Sequence, residues 1–176
     1  LDGDELNLAR VLVNGGGTSF KMDGSQLVLE NLPEGDDPIE LEIFTTCQPE
    51  KNSSLMGLYV SGEHLFTQCE AEGFRRITWF PDRPDVMSRY RVTLLADKAR
   101  YPILLSNGNL LSTRELPDGR HEAVWEDPHP KPCYLFAIVA GDFSCREQCI
   151  RTHSGRQVTL QVYSDRGSEN RTEWAM

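Results

Sequence analysis

Short runs of alternating apolar and polar residues, closed by glycine, proline, asparagine or aspartate, recur along most of this chain. In YRVTLLA, residues 90–96, apolar side chains occupy every second position. Successive side chains of a β-strand point to opposite faces of its sheet, so this period is typical of half-buried strands. Similar runs lie at residues 6–13, 39–43, 57–60, 64–69, 121–126, 143–152 and 157–164. The pattern predicts many short strands rather than helices.

Turn sequences indicate which of these strands are neighbours. NGGG at residues 14–17 closes the first run, and SGE at residues 61–63 joins two runs into a hairpin. The runs on either side of residues 154–155, Ser-Gly, are predicted to pair, and PDG at residues 117–119 precedes another strand. Glycine, asparagine and aspartate suit such turns because they tolerate a positive φ angle. These connections favour antiparallel pairing.

Two segments depart from the alternation. Residues 133–140, CYLFAIVA, form a continuous apolar run, which predicts a strand buried on both faces. Residues 71–78 have the only helical pattern, and that pattern is short. The chain has 176 residues and no long linker or repeat. We therefore expect one all-β domain, an antiparallel sandwich or strongly curved sheet with at most one short helix.

Charge and cysteine content limit the partners and the compartment. The chain carries 18 basic and 27 acidic residues, a net charge of -9. Such a surface repels phosphate backbones, so we expect no nucleic-acid partner. No apolar run has bilayer-spanning length, so we expect no membrane partner. The five scattered cysteines do not resemble a disulfide framework and favour a reducing, cytoplasmic compartment.

One candidate zinc motif lies at residues 121–125, HEAVW. The motif HExxH needs two imidazoles one helical turn apart, but here the fifth position is Trp125 and the local period is two. Residues four apart in a strand lie too far apart to chelate one ion. The sequence instead predicts an edge strand with His121 exposed.

A second candidate metal site combines Cys145, Cys149 and His153 with Cys133 upstream. Thiolates and imidazoles are zinc ligands, but the segment alternates as a strand and has no CxxC pair. Buried free cysteines that behave as small apolar residues are the favoured interpretation. The chain also lacks the GxSxG elbow of serine hydrolases and the lysine of a phosphate-binding loop. By motifs alone, no complete catalytic site is present.

The run FTQCE, residues 66–70, places an amide and a carboxylate side by side. Gln68 and Glu70 share one face of the predicted strand, and Cys69 points to the other. A carboxylate beside an amide can receive a cationic group such as an ammonium, most strongly in a dry site. From the residues alone, the favoured interpretation is instead that Glu70 caps the short helix at residues 71–78 or pairs with Arg75 or Arg76.

Several segments in chain order carry a resemblance to a known family. They are LMGLYVS at residues 55–61, TQCEAEGFRR at 67–76, DRPD at 82–85, LSNGN at 105–109 and KPCYLFAIVAGDF at 131–143. With these segments the chain resembles the amino-terminal domain of aminopeptidase N, in the bacterial alanyl aminopeptidase branch of the zinc gluzincin aminopeptidases. The resemblance covers about residues 41–176, and residues 163–176 resemble the exit from that domain. The segment before residue 41 matches weakly.

The resemblance implies a saddle-shaped, all-β module packed over a catalytic domain of the same chain. It implies a zinc-dependent hydrolase that removes single amino-terminal residues, Ala or basic preferred, from peptides. Residues 1–176 would then be a fragment that lacks the family's first strands and the catalytic domain with its zinc. Such a fragment is expected to bind no zinc and to be inactive alone.

The resemblance also implies roles for individual residues. Gln68 matches the position that lines the pocket for the substrate's first side chain, and Glu70 matches the position that binds its α-amino group. Four charged residues of the same block are expected to form structural ion pairs: Arg75, Arg76, Asp82 and Asp85. Trp79 is expected to pack rather than to bind.

Two other functions remain open at this stage. One is a non-catalytic scaffold that keeps the family's architecture without its zinc ligands. The other is a free-standing β-sandwich binding module. The pair Gln68 and Glu70 favours the peptidase, because a scaffold has no need for an ammonium receptor.

Overall fold

The computed structural model describes all of residues 1–176. Its strands are β1 (Asn7–Val13), β2 (Gly16–Gly17), β3 (Phe20–Asp23), β4 (Gln26–Leu29), β5 (Leu41–Thr46), β6 (Gly57–Ser61), β7 (His64–Gln68), β8 (Ser88–Asp97), β9 (Ile103–Ser106), β10 (Asn109–Glu115), β11 (Arg120–Lys131), β12 (Ile138–Gly141), β13 (Phe143–Arg151) and β14 (Gln157–Asp165). Helical structure is confined to 3-10 segments at Pro49–Lys51, Phe74–Arg76, Cys133–Leu135 and Glu169–Ala175. No helical segment has the length and apolar composition needed to traverse a bilayer.

The strands form three sheets and two ribbons, all with antiparallel pairing. The four-stranded sheet has the order β6-β7-β12-β9, and the three-stranded sheets have the orders β10-β11-β8 and β2-β1-β5. The ribbons are β13–β14 and β3–β4. The predicted all-β, antiparallel fold is confirmed.

The alternation in β8 determines how the core is connected. Exposure alternates at every residue of this strand, as the sequence predicts. Tyr90 and Val92 pack against one buried cluster, and Leu94 and Ala96 pack against a second. A single strand therefore supplies part of two neighbouring cores. The first cluster consists of Cys69, Phe74, Cys133 and Phe136.

The predicted hairpins are present. Val13 pairs with Gly16 across a two-residue turn in which Asn14 has φ 49° and Gly15 has φ 75°. Positive φ at both central residues is the conformation that Asn-Gly favours between antiparallel strands. The pairs β6–β7 and β13–β14 also follow the predicted turns. The turn predicted at residues 117–119 joins β11 to β10, a strand that the sequence did not predict.

The prediction of one buried strand over residues 133–140 is wrong. The segment begins with the 3-10 turn Cys133–Leu135, and β12 starts only at Ile138. The side chain of Asn107 explains the break: its Nδ2 donates to the Leu135 carbonyl at 3.0 Å, and its Oδ1 accepts from the Ala137 amide at 2.6 Å. Side-chain bonds therefore replace the strand ladder there.

The prediction of an exposed His121 on an edge strand is also wrong. β11 is the central strand between β10 and β8, and His121 is 8% exposed. Its Nε2 lies 2.7 Å from the carbonyl oxygen of Tyr101. The turn at residues 117–119 reveals only one neighbour of β11. The second neighbour, β8, is more distant along the chain, so the local sequence pattern does not predict its pairing with β11.

Candidate functional site

The candidate site begins where β7 ends. β7 pairs with β6 on one side and β12 on the other, which fixes its last residue, Gln68. Residues 69–73, here called the Glu70 loop, follow directly. Gln68 and Glu70 are exposed, whereas Cys69 between them is 3% exposed. The sequence correctly placed Gln68 and Glu70 away from the core and Cys69 towards it.

Cys69 fastens the start of the loop to the interior. Its thiol belongs to the apolar cluster that contains Phe74 and Phe136, whose ring centroids lie 4.9 Å apart in a T-shaped arrangement. Burial, with a smaller effect from the Asp82 charge, raises the pKa of the Cys69 thiol to about 12. The group stays a neutral thiol near neutral pH, so it has a packing role.

Gln68 and Glu70 also contact each other. The Gln68 Nε2 donates a hydrogen bond of 3.1 Å to the backbone carbonyl of Glu70. The peptide bond between Glu70 and Ala71 is cis. The Glu70 carboxylate takes part in none of the side-chain hydrogen bonds or ion pairs found in the chain and faces solvent.

The alternative role for Glu70, as a helix cap or a partner of Arg75 or Arg76, is wrong. Residues 70–73 form a turn, and the only helical structure nearby is the 3-10 segment Phe74–Arg76, which has no side-chain cap. Arg75 pairs with Asp82 at 3.0 Å and, more weakly, with Glu72 at 3.4 Å.

Asp82 is the main partner of Arg75. Its Oδ2 accepts from both the backbone N and the Nε of Arg75, each at 3.0 Å. Burial disfavours the arginine's charge, but the hydrogen bond to Asp82 and its negative charge prevail and raise the pKa of Arg75. The other Asp82 oxygen, Oδ1, accepts from the Cys133 thiol at 2.9 Å.

The remaining charged residues of this block form structural pairs, as expected. Arg76 binds Asp4 at 2.6 Å and also contacts Glu5, which ties the block to the amino-terminal segment. Arg83 and Asp85 pair at 2.5 Å on the surface. Asp85 has a lowered pKa, chiefly through the hydrogen bond from Arg83.

Trp79 packs, as expected. It is 4% exposed and lies in a buried cluster with Val11 and Leu27. The backbone of Gly3 lies against the indole so closely that an added Cβ would meet the ring at 2.3 Å. Trp79 therefore holds the amino-terminal segment in place and offers no surface to a ligand.

A cavity of about 270 Å³ lies beside Glu70. Its walls come from three parts of the chain: Glu70, Ala71 and Glu72 from the loop, Asp82 and Pro84 from the following segment, and Tyr134 from the 3-10 turn Cys133–Leu135. Sequence reasoning missed Glu72 and Tyr134 as parts of this site. Both lie in segments that carry the family resemblance, and that was the available signal.

The residues considered as metal ligands are not gathered into a site. Within residues 1–176, no three His, Cys, Asp or Glu side chains come together in a way that could hold a metal ion. The prediction of buried thiols is confirmed for Cys133, which donates a hydrogen bond to Asp82. It is wrong for Cys145 and Cys149, which are exposed on β13. All five cysteines are free thiols.

Comparisons with known proteins agree with this architecture. The family model described as Peptidase M1 N-terminal domain matches residues 13–135. Aminopeptidase N from Haemophilus influenzae is 51% identical over 177 residues, covering 100% of this chain and 20% of that protein. The similarity therefore includes the segment before residue 41, which the resemblance in sequence had matched only weakly.

Solved structures give the same relationship. Aminopeptidase A from Legionella pneumophila, solved in complex with aspartic acid, matches with a TM-score of 0.93 and 33% identity, over 99% of this chain and 20% of that one. An M1 zinc metallopeptidase from Deinococcus radiodurans matches with a TM-score of 0.78 at 15% identity, over 94% of this chain and 39% of that one, which shows a shared fold.

The chain spans about a fifth of the length of the curated relatives it matches. The family match runs through the strand β7, the Glu70 loop and the Asp82 segment described above. Fold, site segments and whole-chain identity agree. The chain belongs to the Peptidase M1 N-terminal domain family.

Proposed function

We propose that this chain forms the amino-terminal wall of the substrate cleft in a zinc-dependent metallo-aminopeptidase, a hydrolase that removes single amino-terminal residues from peptides. One observation carries the proposal: the exposed Glu70 carboxylate stands at a cavity without a partner in its own chain. The loop that carries this unpaired carboxylate is anchored in the core at Cys69, so the carboxylate is suited to bind a cation. The relationship to proteins named aminopeptidase favours the α-ammonium group of a peptide as that cation.

Glu70 would select for the end of a peptide through its charge. A free amino terminus carries an ammonium group that can donate charge-assisted hydrogen bonds to the carboxylate. An internal peptide bond offers no such charge and would leave the carboxylate desolvated and unpaired, which is costly. Binding at Glu70 would also hold the first peptide bond at a constant distance from the catalytic groups.

Gln68 would line the pocket for the substrate's first side chain. Its amide is exposed beside Glu70 and is oriented by the bond to the Glu70 carbonyl. We further propose a preference for Ala or basic first residues. The exposed carboxylates of Glu70 and Glu72 at one cavity support the basic preference, because they attract cationic side chains.

The catalytic domain of the same, longer chain would be the partner of this surface and would hold the zinc. The residues described here offer no set of metal ligands, so the ligands would come from that domain. A bound zinc ion would supply an activated water for peptide hydrolysis. The residues of this chain would bind and orient the substrate.

Kinetics of the full-length protein with Glu70→Gln test the proposal. Glutamine keeps the size of the side chain and removes its charge, so the ammonium loses its ionic partner. We expect kcat/KM for aminoacyl anilides to fall at least about thirtyfold, which corresponds to about 2 kcal/mol. The zinc content of the variant should equal that of the wild type.

Glu72→Gln is the matched control for this experiment. It removes a carboxylate two residues away that already pairs with Arg75 at 3.4 Å. With an alanyl anilide, which has no cationic side chain, we expect kcat/KM to change less than about threefold. Unchanged kinetics for Glu70→Gln, or a large loss for Glu72→Gln alone, would overturn the assignment of Glu70.

We also propose that the protein works in the cytoplasm, without nucleic-acid or membrane partners. The five free thiols support a reducing compartment. The net charge of -9 disfavours binding to phosphate backbones and to anionic lipids. Fractionation of the source cells, with immunodetection of the protein, tests this directly.

A further inference from the structure

The buried carboxylate of Asp82 has no part in the proposed binding of substrate, yet Asp82 lines the same cavity. Its side chain is 1% exposed. Burying a charge is costly unless that charge is paired and hydrogen-bonded. The hydrogen bonds of Asp82 therefore compensate the burial of its charge and connect it to the groups around it.

The side-chain bonds of Asp82 join separate segments of the chain. Its Oδ2 holds the backbone N and the Nε of Arg75, and its backbone carbonyl accepts from the Arg75 Nη2 at 3.0 Å. Its Oδ1 accepts a hydrogen bond from the thiol of Cys133, 51 residues further along the chain. Its backbone N donates to Asp2 at 3.1 Å.

These segments are the three walls of the cavity beside Glu70. Arg75 lies two residues after the Glu70 loop and also contacts Glu72 in it. Cys133 directly precedes Tyr134, which lines another wall. Asp82 itself carries the third wall. One carboxylate therefore connects every part of the chain that surrounds the cavity.

The Glu70 loop has few internal contacts that could fix its path. The bonds within it are those from Gln68 Nε2 to the Glu70 carbonyl and from the Gly73 amide to the Cys69 carbonyl. Ala71 and Glu72 are exposed. The loop is held mainly at its ends: at Cys69 in the core and at Arg75, which Asp82 holds.

We infer that Asp82 is a positioning residue for Glu70, acting through Arg75 and Cys133 on the two walls of the cavity. This inference rests on the proposed function of Glu70. Asp82 does not touch the substrate. It keeps the loop that carries Glu70 at a constant distance from the wall that carries Tyr134.

The test is steady-state kinetics of the full-length protein with Asp82→Asn, Glu70→Gln and the double substitution, using alanyl and arginyl anilides. Asparagine keeps the shape of Asp82 and removes the charge that holds Arg75. We expect Asp82→Asn to raise KM about tenfold, because a misplaced binding group weakens productive binding. In the Glu70→Gln background it should cause no further rise in KM.

Asp85→Asn is the matched control. Asp85 is also paired with an arginine in the same segment, but its side chain is 63% exposed and lines no wall of the cavity. Its removal should leave KM within about twofold of the wild type. A purely structural effect of Asp82→Asn would lower the active fraction, and hence kcat, at constant KM.

The outcomes separate this inference from the proposed function. If Glu70→Gln leaves kcat/KM unchanged, the function proposed for Glu70 is wrong. If Glu70→Gln raises KM but Asp82→Asn changes only kcat, or raises KM equally in both backgrounds, the positioning role is wrong. If Asp82→Asn does not fold, Arg75→Lys decides by the same two criteria, because it retains the positive charge but loses the planar fork held by Asp82.

Discussion

Three consecutive residues, Gln68, Cys69 and Glu70, differ sharply in their surroundings. The outer two are exposed and polar, and the middle one is buried with its pKa raised to about 12. This alternation at the end of β7 lets the chain pack one side chain into the core while it presents two polar groups to a ligand. The chemistry of the proposed site depends on this arrangement at the scale of single side chains.

Gln68→Ala tests the role of the amide. The substitution removes the hydrogen bond to the Glu70 carbonyl and the proposed wall of the first side-chain pocket. A neutral hydrogen bond contributes about 0.5–1.5 kcal/mol, so kcat/KM should fall about two- to tenfold, less than for Glu70→Gln. The preference among alanyl, arginyl and leucyl anilides should also change. An unaltered preference would remove Gln68 from the pocket.

Four of the five thiols should fall into a reactive and an unreactive pair. Cys145 and Cys149 are exposed on β13, whereas Cys69 and Cys133 are buried. With iodoacetamide at pH 8, we expect alkylation of the exposed pair within minutes and of the buried pair only after unfolding. Peptide mass spectrometry measures the rates. Equal alkylation of Cys69 and Cys145 in the folded protein would contradict the core described here.

The same buried thiols predict how stability depends on pH. Burial first, and then the neighbouring Asp82, raise the pKa of Cys133 from 9.0 to about 12. Above pH 9 the unfolded thiol ionises while the folded thiol does not, so the unfolded state binds fewer protons and stability falls as pH rises. Cys133→Ser should make the decline between pH 9 and 12 shallower, as measured by urea unfolding.

At the scale of elements, the Glu70 loop depends on a close contact at its last residue. A Cβ on Gly73 would lie 2.1 Å from the Gln68 carbonyl oxygen and 2.8 Å from the Cys69 Cα. Gly57, at the start of β6, packs against Gly73 and Arg76 from the other side. The absence of side chains at these two positions allows the loop to fold back against the end of β7.

Gly73→Ala should therefore displace the loop. Backbone atoms stand in the way of the new methyl group, so we expect a loss of about 2–4 kcal/mol in the free energy of unfolding. The control is Gly17→Ala, where nothing lies within 4 Å of the added Cβ. It should change stability by less than about 0.5 kcal/mol. Equal unfolding midpoints for the two variants would contradict the close packing of the loop.

At the scale of the whole molecule, we propose that this chain binds the substrate and that the catalytic domain holds the metal. The charge of -9 is spread over a chain in which no cluster of side chains could hold a metal ion. A surface with exposed carboxylates at Glu70 and Glu72 is suited to a cationic substrate group. Hydrolysis itself would need groups that the longer protein contributes.

This division predicts that the isolated chain is inactive. Residues 1–176, purified free of host peptidases and supplied with zinc, should release no nitroaniline from alanyl p-nitroanilide, whereas the full-length protein should. The physical reason is that no residue set here can hold and activate a metal-bound water. If the isolated chain did release nitroaniline and a chelator abolished that release, the chain would carry its own metal site.

The sequence by itself determined most of the longer strands, several hairpins and the exposure of Gln68 and Glu70, but it missed β3, β4, β9 and β10. These features depend on neighbours within a few residues: the period of two in β8 and the Asn14-Gly15 turn are local patterns. The resemblance in sequence then indicated the family and named both candidate binding residues. Neither inference required knowledge of which distant segments meet.

Only the tertiary structure decided the surroundings of those residues. The bond from Asp82 to Cys133 spans 51 residues, and the salt bridge from Arg76 to Asp4 spans 72. The burial of His121 needed the pairing of β11 with β8, and the turn at Cys133 needed the side chain of Asn107. Such contacts depend on where distant segments come together in space, and a local pattern of residues carries no record of that distance.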